Sequence, residues 1–187
     1  MVKITETLYV STRKEWRMWL QVNYKSSEEI WLIYYRRVTG RPSLSYNAAV
    51  EEALCFGWID SIRKTIDDDK YAQRFSQRNR GSSYSQTNKE RLAYLDNEGK
   101  LTQEVQLELR DNRPEDFEIP EDIIAALKSN EAAWEFFKDT SSSYQRIRAA
   151  YVDHARNRSG EFDKRLDNLV EKSARGKQFG YFIETFY

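Results

Sequence analysis

The residues best suited to chemistry lie in one stretch, Trp58–Arg78 (WIDSIRKTIDDDKYAQRFSQR), which holds Asp60, Ser61, Arg63, Arg74, Ser76 and Arg78. Guanidinium groups beside hydroxyls suit an anion, because the planar fork of N–H donors matches a carboxylate or phosphate. Asp67-Asp68-Asp69 divides the stretch, and aspartate tolerates turn geometry and bonds its own backbone. The spacing predicts a β-hairpin over Trp58–Ile66 and Lys70–Gln77. If the turn centres on Asp68-Asp69, Ile66 faces Tyr71 and Ile62 faces Phe75, sharing the expected core side with Trp58. The opposite face then carries Arg63 against Arg74, Ile59 against Arg78 and Ser61 against Ser76. Opposed arginines repel, so something must compensate: solvent and salt, acidic helices laid over the face, or a bound anion. The expected ligand-binding set is Arg63, Arg74, Arg78, Ser61 and Ser76, with Asp60 and Tyr84 beside them.

In this register Asp60 falls on the core side opposite Gln77, where a carboxylate needs partners. It reads either as an aspartate satisfied by backbone or arginine, or as a general acid/base with a raised pKa. Spacing supplies it with no second catalytic group. Tyr84 reads as core packing, with stacking on a ligand ring as the alternative. Cys55, the single cysteine, reads as a small core residue, and His154, the single histidine, as surface. One cysteine and one histidine exclude a disulfide framework and Cys- or His-rich metal sites. The Asp67–Asp69 run lacks a calcium-loop pattern. No metal and no cofactor are expected.

Several elements must position these residues. Thr12 and Glu15 form a capping box for a first helix, with Trp16, Trp19 and Leu20 on one face. Glu29–Arg37 (EIWLIYYRR) reads as a strand. Ser45 caps a helix carrying Ala49, Val50, Ala53, Leu54 and Cys55, and Gly57 stands where a helix-terminal glycine belongs. Ser85 opens a helix through Leu95. Helical patterns follow at Thr102–Arg110, Pro120–Lys128, Glu131–Lys138, Ser143–Arg156 and Phe162–Ala174. The expected fold class is α+β: a small antiparallel sheet packed with helices, then an all-helical C-terminal region. The expected organisation is an α+β domain over 1–99, a linker and short helix over 100–118, a helical region over 119–176 and an aromatic tail over 177–187, whose rings suggest docking.

The chain has 187 residues, 30 basic and 30 acidic, so its net charge is zero. The charge is unevenly placed. Arg36–Arg91 carries 11 Lys/Arg against 7 Asp/Glu, and Asp96–Asp139 carries 5 against 13. Either the two stretches pack together or the basic one attracts an anionic small molecule or an acidic protein partner. A local excess this modest does not suggest nucleic-acid binding. No window approaches the roughly 18 apolar residues of a membrane span, and the N-terminus has no apolar signal run, so a cytoplasmic address is expected. Oligomeric state is not readable.

The runs EEALCFGWIDS, YAQRFSQR and YSQTNKERLAYLDNEGKLT, with STRKEWRMWL, IWLIYYRR and GRPSLSYNAAVEEAL before them, resemble the YdeI/OmpD-associated family of bacterial proteins. Trp134, Phe137, Tyr144, Tyr151, Ala155, Arg165, Leu169 and Gly176-Lys177 extend the resemblance. Departures are Ser76-Gln77-Arg78 for the family's Thr-Pro-Arg, Tyr84 for a tryptophan, and Val152-Asp153 for Trp-Ile. The resemblance implies an α+β fold near the YjbR/CyaY-like and YdhG-like groups. It also implies a link to bacteriocin or cationic-peptide protection and to a porin, and carries no catalytic residues. The expected function is a non-enzymatic binding or stress-protection module with an arginine-rich sheet face. The alternative is a small-molecule enzyme using Asp60 and nearby arginines. Iron handling, by fold analogy, would need the carboxylates of Asp111–Asp122 to cluster.

Overall fold

The computed structural model describes residues 3–79 and 81–180. The chain divides into two units, 1–83 with 94–110, and 84–93 with 111–187.

The first unit is built on a four-stranded sheet. Its strands are β1 (Thr7–Leu8), β2 (Glu29–Tyr35), β3 (Trp58–Thr65) and β4 (Lys70–Gln77), in the order β1-β2-β4-β3. The β2 sequence EIWLIYY is β-branched and aromatic throughout, which suits a pleated, largely buried strand. β1 runs parallel to β2, and β4 is antiparallel to both β2 and β3. Two helices, α1 (Arg13–Asn23) and α2 (Tyr46–Cys55), pack on one sheet face. Trp16 meets Phe75, and Trp19 meets Trp58, at ring distances of 5.5 and 5.7 Å. Both bonds of the Thr12/Glu15 capping box are present, and Ser45 accepts from the Ala48 N–H to start α2.

The α1–α2 contact is electrostatic as well as apolar. Glu51 and Glu52 are buried in α2, and arginines one turn apart on α1 reach them. Arg13 bonds Glu51 at 2.5 Å, and Arg17 bonds Glu52 at 2.8 Å. A buried carboxylate is tolerated when a guanidinium meets it in this way. Gly57 ends α2 at φ +73°, a left-handed conformation that glycine adopts without cost. α4 (Gln103–Arg110) completes the unit, anchored by the Thr102 N–H donating to the Cys55 carbonyl at 3.0 Å.

The second unit is helical: α5 (Glu121–Lys128), α6 (Glu131–Lys138), α7 (Ser142–Asp153) and α8 (Glu161–Ala174). α3 (Gln86–Asn97) is divided between the units after Ala93. Its core gathers Ile123, Leu127, Phe137, Tyr144, Val152 and Leu169. Within this unit Arg146 forks onto buried Glu90, at 2.6 and 2.8 Å. The expected α+β class, with helices following the sheet, is what the structure has. Most of the aromatic tail, Tyr181–Tyr187, lies outside the described residues; Phe179 packs against the helical core.

The hairpin register differs from the sequence expectation. The loop is three residues, Asp67–Asp69, and the Ile66 N–H donates to the Lys70 carbonyl at 3.1 Å. Asp67 Oδ1 accepts the N–H groups of Asp69 and Lys70, which favours this loop over a two-residue turn. Arg63 therefore opposes Gln73, Lys64 opposes Ala72 and Thr65 opposes Tyr71. A bulge between Asp60 and Arg63 shifts the register again, so that Asp60 opposes Phe75, Ile59 opposes Ser76 and Trp58 opposes Gln77. Ile62 and Ile66, expected in the core, are exposed.

Candidate functional site

The register decides where each candidate side chain goes. Arg63 shares a face with Gln73 and Tyr71, the side on which α1 and α2 pack, and its guanidinium lies 5.1 Å over the Tyr71 ring. Arg74 neighbours Gln73 along β4 and so points to the other face, opposite Trp31 of β2. The expected opposition of Arg63 and Arg74 does not occur. Arg74 is matched by Glu29: its Nε donates to Oε2 at 2.6 Å, and Ser61 takes a longer bond at 3.4 Å. Ser76 pairs with Glu29 and Ile59 across the two ladders, on the Arg74 face. The Thr5 hydroxyl, chiefly, holds the Glu29 carboxyl below its ordinary pKa against the opposing effect of burial, and the Arg74 guanidinium adds to it. Tyr84 is a buried residue of the second unit.

Asp60 sits on the helix-facing side and is partly buried. The Tyr46 hydroxyl donates to Oδ2 at 2.7 Å and Gln73 Nε2 to the same oxygen at 3.3 Å. Tyr34 stacks on Tyr71 nearby, ring centroids 5.1 Å apart and 5° from parallel. Its hydroxyl is enclosed and has no hydrogen-bond partner among the described residues. Burial, with lesser help from the Tyr71, Tyr46 and Asp60 charges, raises the Tyr34 pKa. Burial likewise pushes the Cys55 thiol up to about 11, so it is a packed hydrogen-capped sulfur and not a nucleophile.

Arg78 lines a cleft in the first unit. The cleft encloses about 330 Å³ and is lined by Tyr24, Lys25, Gly57, Gln77, Arg78, Glu104, Val105 and Glu108. The end of α1 supplies Tyr24 and Lys25, the ends of β3 and β4 supply Gly57, Gln77 and Arg78, and α4 supplies the two glutamates. The Arg78 side chain is only 8 % exposed, held by Glu108 at 3.1 Å and by the Ser82 carbonyl. Its own N–H bonds the Gly57 carbonyl at 2.9 Å, which ties the strand end to the end of α2. Gln77 Nε2 donates to the carbonyls of Tyr24 and Ser27 at 3.1 and 2.9 Å. Trp58 Nε1 donates to the same Tyr24 carbonyl at 3.0 Å, so a core indole reports on the cleft wall. At the mouth Lys25 pairs with Glu104 at 2.8 Å, both side chains substantially exposed, and its ammonium lies 5.3 Å from the Tyr24 ring. Hydrogen bonding to Glu104, then to Tyr24, raises the Lys25 pKa.

Lys25, Tyr24, Glu104 and Glu108 were not among the sequence candidates. The available signal was the Glu104/Glu108 spacing, one helical turn, which places two like charges on one face and calls for cations from another element. Among the described residues no group of three or more His, Cys, Asp or Glu is placed to hold a metal, so the Asp111–Asp122 carboxylates do not form the cluster that iron handling would need. No helix among them is long and apolar enough to cross a membrane.

A family model described as a domain of unknown function (DUF8412) matches residues 8–108, more than half of the chain. A second, described as bacteriocin-protection, YdeI or OmpD-associated, matches residues 116–176. The resemblance to the YdeI family is thus supported in the helical second unit, while the ALCFGWID run falls in the stretch matched by the first model. No curated protein and no solved structure matches the chain.

Proposed function

We propose that this chain, which belongs to the DUF8412 family, is a binding module without a catalytic centre, and that a small charged ligand occupies the cleft beside Arg78. The observation that carries this reading is the cleft itself: about 330 Å³, within the range of small-molecule sites, with Lys25, Arg78, Glu104 and Glu108 among the described residues on its walls. The ligand's anionic group, a carboxylate or phosphate, meets Lys25 at the mouth. Arg78, already engaged by Glu108 and the Ser82 carbonyl, fixes the wall. Groups that a reaction would use are committed elsewhere. Asp60 Oδ2 receives both Tyr46 and Gln73, and Cys55 is buried with a raised pKa.

The second unit's family description supports a role in protection against bacteriocins as part of the same proposal. A cytoplasmic address also belongs to it, consistent with a lone cysteine kept as a free thiol; cell fractionation tests that part.

Amide and indole N–H spectra of the ¹⁵N-labelled protein test the cleft. Phosphate, succinate, citrate and free amino acids are titrated in turn. A binder shifts the Trp58 indole resonance and the amides of Lys25 and Arg78, and leaves the Trp31 indole, bonded to Glu29, in place. If no member of the panel moves any cleft resonance, the reading is wrong.

A further inference from the structure

We infer that two copies of this chain associate edge to edge through β3, antiparallel about a two-fold axis, with Asp60 of each copy against the partner's Arg63. This goes beyond the cleft reading and stands on a different part of the first unit.

Among the described residues β3 is an edge strand, last in the order β1-β2-β4-β3. The direction of its backbone groups follows from its two ends. The Ile66 N–H donates to the Lys70 carbonyl, and the Arg78 N–H donates to the Gly57 carbonyl. In an antiparallel ladder, residues that bond the neighbouring strand alternate with residues whose N–H and C=O point away. Counted inward from those ends, Lys64 and Ile59 turn toward β4, whereas Thr65, Arg63 and Asp60 turn outward. The bulge lies between Asp60 and Arg63. It sets Asp60 against Phe75 and Arg63 against Gln73, so both side chains lie on the helix-facing side although they are three residues apart. Their charges are opposite, and among the described residues neither makes an ion pair. Tyr46 and Gln73 hold Asp60 by Oδ2, which leaves Oδ1 for another donor. Arg63 is exposed, and its contact with the Tyr71 ring is a weak one.

These features select both the occupant and the register. A bulge on an edge strand discourages pairing, because a regular strand cannot match it. A second copy carries the same bulge and can match it. In a two-fold pair, if Asp60 meets the partner's Arg63, then Arg63 meets the partner's Asp60. Both contacts join residues whose backbone groups point outward and whose side chains share one face. Opposite charges directly across such a pair attract. The two bulges, Ser61-Ile62 in each copy, fall opposite each other between these contacts. Ser61 lies on the other face, where Arg74 bonds it. Ile62, 39 % exposed in the single chain, lies diagonally across the axis from its counterpart. A slip of one residue would set Asp60 against Lys64, or Arg63 against Ile59, an outward residue against an inward one. Trp58 is fully enclosed, so it ends the pairing. So short a strand pair buries less than a standard interface, and the dimer should form with a dissociation constant of about 10 µM–1 mM.

Sedimentation equilibrium of the full chain over a concentration series tests the inference, with a concentration-dependent dimer expected for the wild type. Arg63→Asp sets like charges at both contacts and should weaken self-association about tenfold or more. Asp60→Arg should do the same. Mixed in equal amounts, the two single variants should form a heterodimer at wild-type concentrations, because both contacts then join opposite charges. Hydrogen exchange reads the backbone. The Asp60 and Arg63 amides should gain protection as the wild type is concentrated, and the Lys64 amide, turned toward β4, should not change. Thermal unfolding verifies the fold of each variant; if Asp60→Arg loses it, Arg63→Asp and the exchange data decide. A wild type that stays monomeric to about 1 mM overturns the inference. So does a dimer that ignores Arg63→Asp, or a mixture of folded variants that stays monomeric. Any of these results leaves the cleft reading standing, since neither Asp60 nor Arg63 lines the cleft.

Discussion

Removing Arg78 should cost the first unit its strand-end anchor. The Arg78 side chain is 8 % exposed and Glu108 29 % exposed, so the pair lies between two regimes. Exposed pairs contribute about 0.2–1 kcal/mol, while breaking a fully buried pair costs about 3–5 kcal/mol, because a charge is stranded. In Arg78→Met the stranded Glu108 keeps enough exposure to be rehydrated, which places the loss near 2 kcal/mol. Glu108→Gln should cost about 1 kcal/mol, since Arg78 retains the Ser82 carbonyl. The double variant should lose about 2 kcal/mol, not the 3 kcal/mol of simple addition, leaving a coupling of about 1 kcal/mol. For a chain of this size that single loss lowers the melting midpoint by roughly 4–8 °C. Urea unfolding followed by tryptophan emission is the assay, because Trp16, Trp19, Trp31 and Trp58 all belong to the first unit and only Trp134 to the second. Additive losses, within about 0.3–0.5 kcal/mol, would show that Arg78 and Glu108 do not act as a pair, and the account of the cleft wall would fail.

Tyr34→Phe should stabilise the protein by about 1 kcal/mol, because it removes an enclosed hydroxyl that has no partner among the described residues; a lower urea midpoint would mean that the hydroxyl is bonded in solution. Glu29 has a folded-state pKa below its unfolded value, so the unfolded chain binds the extra proton and this contribution is present above the ordinary carboxylate pKa and lost as pH falls through the folded one. The stability difference between wild type and Glu29→Gln should accordingly hold from pH 7 to about 5 and shrink below about pH 4; a difference independent of pH would rule out the Thr5–Glu29–Arg74 contacts as its source. Cys55, with its thiol raised to about 11 by burial, should resist a thiol reagent at pH 8 in native buffer and react fully in urea. Stoichiometric labelling of the folded protein contradicts that placement.

What the sequence revealed and what it hid follow from the range of each interaction. Helix caps are local, and Thr12/Glu15 and Ser45 are visible in a few residues; both are formed. The hairpin strands were also legible, from their composition. Their register was not, because it depends on a side chain bonding its own loop and on a bulge three pairs further on, neither of which alters the hydrophobic pattern. One residue of slip moves every side chain to the other face, which is why Arg63 and Arg74 part. β1 is too short for any periodicity to show it. The cleft was legible only through Arg78. Its other walls come from positions distant in sequence: Lys25, and the Glu104/Glu108 face of α4.

The same distances settle how the basic stretch is balanced. Arg36–Arg91 has an excess of positive charge, and a free arginine face there would have been an open anion site. Instead Arg74 finds Glu29 from the preceding strand and Arg78 finds Glu108 from the acidic stretch that follows. Arg13 and Arg17 similarly find the buried Glu51 and Glu52. Each of these four arginines has its carboxylate within its own unit; Glu51, Glu52 and Arg78 are well shielded, and the Arg74–Glu29 pair is half-buried. Lys25–Glu104 differs: both side chains are substantially exposed, on the wall of the cleft. Charge that is shielded and matched is committed to holding the fold, because releasing it strands an ion. Charge that is matched but exposed can change partners at little cost.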